Sequence, residues 1–299
     1  MTLDVVGFGA LNVDKLYRVN RIARENEESF VTGLTESCGG SAANTIVALG
    51  KLGLRTGFVG KLADDREGDL HLEKFKKWNI DTGGIVESKE GRSGRVIGFV
   101  DQEGERALYI DPGVNDELEL DEIDVSYMRE AEFLHLTSFV GERPFLHQCS
   151  IVKKITGSVK ISLDPGILYA RKGLDSLKPI LSRAKVVLPS QAEVNILTGE
   201  DYRKGARRLI EEGSEIVAVK LGEKGCYVTD GEDNFLVEPY KVEVVDTTGA
   251  GDAFSAGFLY GLIKGNNLRK CGEIGNFVAS KCIEKSGARA GLPTTLNLG

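Results

Sequence analysis

The chain has 299 residues, 41% hydrophobic and 28% charged, with a formal net charge of −7. That is enough for one large α/β domain or two small ones, with the composition of a soluble globular chain. No apolar run approaches the ~20 residues of a membrane span, and no basic block suggests nucleic acid.

The N-terminal MTLDVVGFGA carries no basic region of the signal-peptide kind. Five cysteines, at 38, 149, 226, 271 and 282, are odd in number and lack C-x-x-C spacing. They read as neutral thiols in a reducing, cytoplasmic setting rather than as disulfides or zinc ligands. Glycine, 37 of 299 residues, exceeds the usual ~7% and points to tight turns or close backbone–ligand approach.

The run LDVVGFGALN (3–12) predicts a buried strand and a turn, and VDKLYRVNRI (13–22) a half-exposed strand. SAANTIVALGKLG (41–53) predicts a helix stopped at Gly53, and residues 56–80 predict strand, turn and helix. GRVIGFV (94–100) and ERALYID (105–111) flank DQEG as a hairpin.

Strands at 132–136, 159–164, 185–189 and 215–222 then alternate with helices near 143–155, 173–183, 191–198 and 203–212. Such a rhythm predicts a parallel sheet covered on both faces. A second hairpin at 226–239 and two helices, from 251 and from 268, end the pattern. The early strands, roughly 12–34 and 92–111, are expected to form an antiparallel flap on a single α/β domain spanning 1–299.

VDTTGAGDAFSAGF (245–258) holds the chemistry. A helix start presents unpaired N–H groups and a positive dipole end, so it attracts anions. Gly249, Ala250 and Gly251 let a phosphate approach the backbone, yet Asp252 puts a carboxylate beside them. A helical first turn accommodates that charge, and the bland reading is a glycine-rich helix with an N-terminal acid. The chemical reading is a base that takes the proton of a hydroxyl attacking a nucleotide phosphate. G-x-x-x-x-G-K-[ST] is absent, and GFGALN (7–12) gives G-x-G-x-x-N with no helix pattern behind it, so a dinucleotide fold has little support.

DTTGAGDAFSAGF (246–258) resembles the C-terminal signature of the ribokinase-like, or phosphofructokinase-B, sugar and nucleoside kinases. CGGSAANTIVALGKLG (38–53) resembles their N-terminal signature. GALNVD (9–14), GFVGKLADDREGDL (57–70), LDPG (163–166), SQAEVNILTG (190–199) and KLGEKG (220–225) fall in the family's order. The resemblance implies a three-layer α/β/α domain with a mostly parallel central sheet and a small β-sheet lid.

It also implies Asp252 as general base, with the N–H groups of Gly249, Ala250 and Gly251 as anion hole, where losing one donor can cost ~2.7–4 kcal/mol. It puts Asn12, Asp14, Gly39, Gly40 and Asn44 at sugar hydroxyls, and Asp246 and Thr248 at a monovalent cation such as K⁺. Asn276 falls near the adenine, and Ser190, Lys220, Gly222 and Gly225 beside the nucleotide. Taken singly, Asn12 and Asp14 are ordinary turn formers, Gly39-Gly40 a loop and Asn276 a helix-face polar residue.

Two positions depart from the pattern. The family's N-x-x-E, tied to Mg²⁺ and phosphate, is Ser190-Gln191-Ala192-Glu193, leaving Glu193 to act on Mg²⁺ through water. Lys220 either touches a nucleotide phosphate or pairs with a carboxylate at a strand end.

Lys15, Arg18, Arg95 and Arg106 lie on the expected lid, as phosphosugar contacts or as charges protecting a sheet edge. Phe99, Tyr109 and Phe139 are either base-stacking or core aromatics. The expected activity is ATP-dependent transfer of the γ-phosphoryl group to a sugar hydroxyl, with Mg²⁺. Nucleoside kinase, sugar-phosphate kinase, an ADP donor, a silent nucleotide-binding regulator and a dehydrogenase are the alternatives. A homodimer through the lid, with no membrane or nucleic-acid partner, completes the expectation.

Overall fold

The computed structural model describes residues 2–155, 157 and 159–297. In chain order it contains β1 (Leu3–Phe8), β2 (Asn12–Val19), β3 (Val31–Gly39), α1 (Ser41–Lys51), β4 (Thr56–Ala63), α2 (Arg66–Lys77), β5 (Asp81–Ser88), β6 (Gly94–Val100) and β7 (Arg106–Asp111). A 3-10 turn at Gly113–Glu117 leads to α3 (Val125–Arg129), β8 (Ala131–Thr137), α4 (Glu142–Lys154), β9 (Lys160–Asp164), α5 (Gly166–Ala170) and α6 (Leu174–Leu181). Then come β10 (Ala184–Val187), α7 (Gln191–Thr198), α8 (Tyr202–Glu211), β11 (Val217–Lys220), β12 (Cys226–Thr229), β13 (Asn234–Val237), α9 (Ala250–Ile263) and α10 (Leu268–Ile283).

Nine strands form the central sheet in the order β13-β12-β11-β10-β9-β8-β1-β4-β5. All neighbours from β11 to β5 run parallel, and β12 and β13 add an antiparallel edge. Successive strand residues point to opposite faces. Val5, Phe58, Phe133 and Val186 therefore pack with α1, α2, α9 and α10. Val6, Val59, Leu134 and Val187 pack with α4 through α8. Two apolar cores sandwich the sheet, giving the expected three layers.

The small second sheet has the order β3-β2-β6-β7. Its central pair, β2 and β6, is parallel, contrary to the all-antiparallel flap expected. Between them the chain leaves through β3, α1, β4, α2 and β5, and this long crossover returns β6 in the same direction. β3 runs on to Gly39, beyond the expected limit of 34, and so delivers the chain directly to α1. β5 was not anticipated; it pairs with β4 and closes the central sheet's edge.

Candidate active site

The carboxyl ends of parallel strands are where open α/β sheets present ligand sites. β9 ends at Asp164, β11 ends at Lys220, and Ser190 follows β10. The start of α9 lies against this edge: Ser255 Oγ donates to Asp164 Oδ2 at 3.0 Å.

Gly249 precedes α9 with φ 76°, in the left-handed region that favours glycine. A Cβ there would also collide with Ala288. The Ala250 N–H donates to Thr247 O at 3.2 Å. Among the described residues no protein acceptor meets the N–H of Gly251 or Asp252. The N–H of Gly249 has none either, so the amides open to an anion are those of 249, 251 and 252. The Ala250 donor, also in the expected hole, closes the turn in this structure.

Asp252 is half-buried in the first turn of α9. Its Oδ2 accepts from Asn44 Nδ2 at 2.8 Å, and its carbonyl accepts from Thr45 Oγ1 at 3.2 Å. Burial, then the negative charge of Asp164, pushes its carboxyl up to about 7. The Asn44 hydrogen bond and the charges of Lys220 and Arg289 work the other way. A carboxylate poised near neutrality can both take and release a proton at physiological pH.

Lys220 Nζ donates to Asp164 Oδ2 at 2.6 Å. Burial alone would depress its pKa, but Asp164 and Glu193 more than offset that, and the net shift is upward. Lys220 thus realises the carboxylate-pairing alternative while lying beside the helix start. A Cβ on Gly251 would stand 3.4 Å from its Nζ.

Ser190 and Glu193 form a reciprocal cap on α7. Ser190 Oγ accepts from Glu193 N at 3.2 Å, and Glu193 Oε2 accepts from Ser190 N at 2.8 Å. Burial, reinforced by Asp164, raises the Glu193 pKa. Gly222 and Gly225 bracket the tight turn after β11, and Asn276 gives its Nδ2 to the carbonyls of Val237 and Glu238 at 3.1 and 2.9 Å. The Asn276 amide therefore ties α10 to the end of β13.

The expected sugar contacts gather where β2, β3 and α1 meet. Gly39 is paired with Asn12 in the small sheet, and a Cβ on Gly39 would lie 2.5 Å from Asp14 Oδ2. Burial raises the Asp14 carboxyl to about 6 against the opposing charge of Arg289. Asn12 Oδ1 accepts from Asn115 Nδ2 at 3.1 Å. Gly40 caps α1, its carbonyl accepting from Asn44 N at 2.8 Å. Asp246 joins two loops: Oδ1 accepts from Thr248 N and Oγ1 at 2.9 and 2.7 Å, and Oδ2 from Gly287 N at 2.8 Å.

Sequence reasoning missed Arg289, Asn115 and Asp164. Arg289 Nε donates to Asn44 Oδ1 at 2.7 Å, and Asn115 clamps Leu11 through both its N–H and its carbonyl. Asp164 lay inside the quoted LDPG, where an acid ending a parallel strand was the available signal. Phe139 is core, edge-on to Phe8 at 5.7 Å. Lys15 and Arg95 are held by Glu67 at 2.5 and 3.3 Å.

The three-layer α/β/α domain sets an open helix start and a carboxyl raised toward neutrality at the carboxyl ends of its strands. The family model for pfkB family carbohydrate kinases matches residues 2–295, and the chain belongs to that family. It is 46% identical over 252 residues, 84% of this chain and 100% of the relative, to an uncharacterized sugar kinase of Archaeoglobus fulgidus. It is 30% identical to an ATP-dependent ribose-1-phosphate kinase of Halopiger xanaduensis, covering 96% of this chain and 94% of the relative. The crystal structure of a ribokinase from Thermotoga maritima matches with a TM-score of 0.88 at 27% identity, covering 97% of this chain and 96% of that one.

Proposed function

We propose that this carbohydrate kinase moves the γ-phosphoryl group of ATP to a hydroxyl of a small ribose- or hexose-type sugar. The observation that carries the reading is Asp252, held by Asn44 beside three open amides and poised near neutrality. In this reading Asp252 takes the proton of the attacking hydroxyl, and the amides of Gly249, Gly251 and Asp252 stabilise charge on the transferring group. Asn12, Asp14, Gly39, Gly40 and Asn44 form the sugar floor. Movement of the small sheet as a lid would exclude water and limit ATP hydrolysis. Lys220, with Ser190, Gly222 and Gly225, supplies the nucleotide edge.

Asp164, Glu193 and Asp252 place an excess of negative charge around Lys220, which suits Mg²⁺ held mainly by nucleotide oxygens and water. Glu193, acting through water, and nucleotide oxygens would hold the ion, which neutralises charge on the phosphates. A monovalent cation such as K⁺ would sit with the loops that Asp246 and Thr248 join.

A phosphosugar acceptor is a second reading. The name of the Halopiger relative favours it, as does Arg106, which reaches Thr248 Oγ1 at 3.4 Å. The pairing of Lys15 and Arg95 with Glu67 weighs toward a neutral sugar. No helix among the described residues is long and apolar enough to cross a membrane.

A coupled phosphorylation screen tests the reading, pairing ATP, GTP and ADP with pentoses, hexoses, nucleosides and ribose 1-phosphate. Turnover with a free sugar and MgATP supports it. Turnover with ribose 1-phosphate alone transfers the assignment to the second reading, and binding without turnover across the panel overturns both.

A further inference from the structure

We infer that Arg289 is the positioning residue of this site: its guanidinium fixes the orientation of the Asn44 amide and, through it, the Asp252 carboxylate. The inference rests on the proposed role of Asp252 as base.

The argument is one of donors and acceptors. Arg289 Nε donates to Asn44 Oδ1 at 2.7 Å, and Asn44 Nδ2 donates to Asp252 Oδ2 at 2.8 Å. Guanidinium offers only donors and ionised carboxylate only acceptors. A flip of the Asn44 amide would therefore break both bonds at once. Asn44 alone could rotate; Asn44 held by Arg289 keeps its NH₂ toward Asp252.

Arg289 is itself anchored from several directions. Its Nη2 donates to Gly39 O at 3.2 Å, at the end of β3, and its carbonyl accepts from Lys51 Nζ at 3.2 Å. The preceding residues are tied as well, Gly287 to Asp246 and Ala288 against Gly249. The guanidinium thus joins the last residue of β3 to α1 and, through Asn44, to the start of α9. Its Nη1 is buried without a protein partner among the described residues.

The groups facing Asp252 are Asp164 from β9, Lys220 from β11, Asn44 from α1, Arg289 from the C-terminal loop and Cys282 from α10. The Cys282 thiol, pushed up to about 12 by burial, is neutral. Asp164 favours the protonated acid, whereas Lys220, Arg289 and the Asn44 amide favour the carboxylate. Removing Arg289 takes away one of these influences and loosens another.

The test uses the full chain and needs no acceptor. The carboxyl carbon of Asp252, assigned by difference against Asp252→Asn, is titrated by ¹³C NMR in wild type, Arg289→Met and Arg289→Lys. The expected midpoint rises by about one pH unit in Arg289→Met, the scale of losing one charged neighbour. It rises less in Arg289→Lys, which keeps the charge without the fork. An unchanged midpoint in both variants overturns the inference.

Should Arg289→Met not fold, the cycle of Asn44→Ala with Arg289→Lys decides. If Arg289 acts through Asn44, its substitution adds little once Asn44 is gone, and full additivity overturns the inference. The two failures are separable. Undiminished turnover in Asp252→Asn sinks the base, while a titration blind to Arg289 sinks the relay.

Discussion

Lys220 Nζ and Asp164 Oδ2 lie 2.6 Å apart, joining the ends of β11 and β9, with side chains only 14% and 7% exposed. The same carboxylate oxygen receives Ser255 Oγ from α9, so the pair links the sheet edge to the anion-receptive helix. A buried pair adds little net stability, but removing one partner strands a charge, at a cost of ~3–5 kcal/mol. Lys220→Met is expected to lower stability by that order in denaturant titration. Lys220→Met combined with Asp164→Asn should recover much of the loss. Turnover should stay low in both, because the nucleotide edge has lost its cation. Equal stability in the single and double variants would contradict the account.

Activity should follow the ionisation of Asp252. A base accepts a proton only when deprotonated, so kcat/KM is expected to climb with pH and level off above a midpoint of about 7. Stability should run in the opposite sense. The folded-state pKa lies above the unfolded value, so this carboxyl's contribution is fully present below about pH 4 and is lost as pH rises through about 7. Asp252→Asn should therefore melt higher than wild type at pH 8 by more than it does at pH 5. A rate profile flat from pH 5.5 to 8.5 would remove Asp252 from the base's role.

Much of the architecture was legible. The continuous apolar strands and amphipathic helices after residue 131 carry their own periodicities, as do α1 and α10, whereas α9 is apolar nearly all round and was legible from its glycine-rich start. β5 was not legible, because DTGGIVES has two glycines, four polar side chains and little apolar content. Pairing with β4, rather than propensity, makes it a strand. The direction of β6 was hidden for the same kind of reason, since chain return is decided by everything packed between. In the site, Asp252 and its glycines announced themselves through one contiguous turn. Arg289 did not: it sits in SGARAGLP, a loop-like string, and its meaning arises from Asn44, 245 positions away.

Ser190 shows a signal that was present and read for something else. S-x-x-E before an apolar run is a capping-box signature, and the structure forms it. Ser190→Ala should cost ~1 kcal/mol of stability. Ser190→Asn, which can still cap, should stay close to wild type in a melt while restoring the family's N-x-x-E. Ser190→Ala as stable as wild type would show that the cap contributes nothing.

The small sheet exposes Leu34, Leu108, Tyr109 and Ile110, at 54%, 54%, 63% and 48%. The proposed homodimer would cover them. Leu108→Lys with Ile110→Lys should then sediment as a monomer where wild type sediments as a dimer. A wild-type monomer at micromolar concentration would dismiss the dimer.

Turnover and ATP affinity of Asp252→Asn, measured together, test the central claim most directly. Asparagine keeps the shape and can still accept the Asn44 bond, but it cannot take the proton. The account predicts a fall in kcat of ~10²–10⁴-fold, the usual range for a lost general base, with ATP affinity within a few fold of wild type. Turnover near wild type in that variant would contradict it.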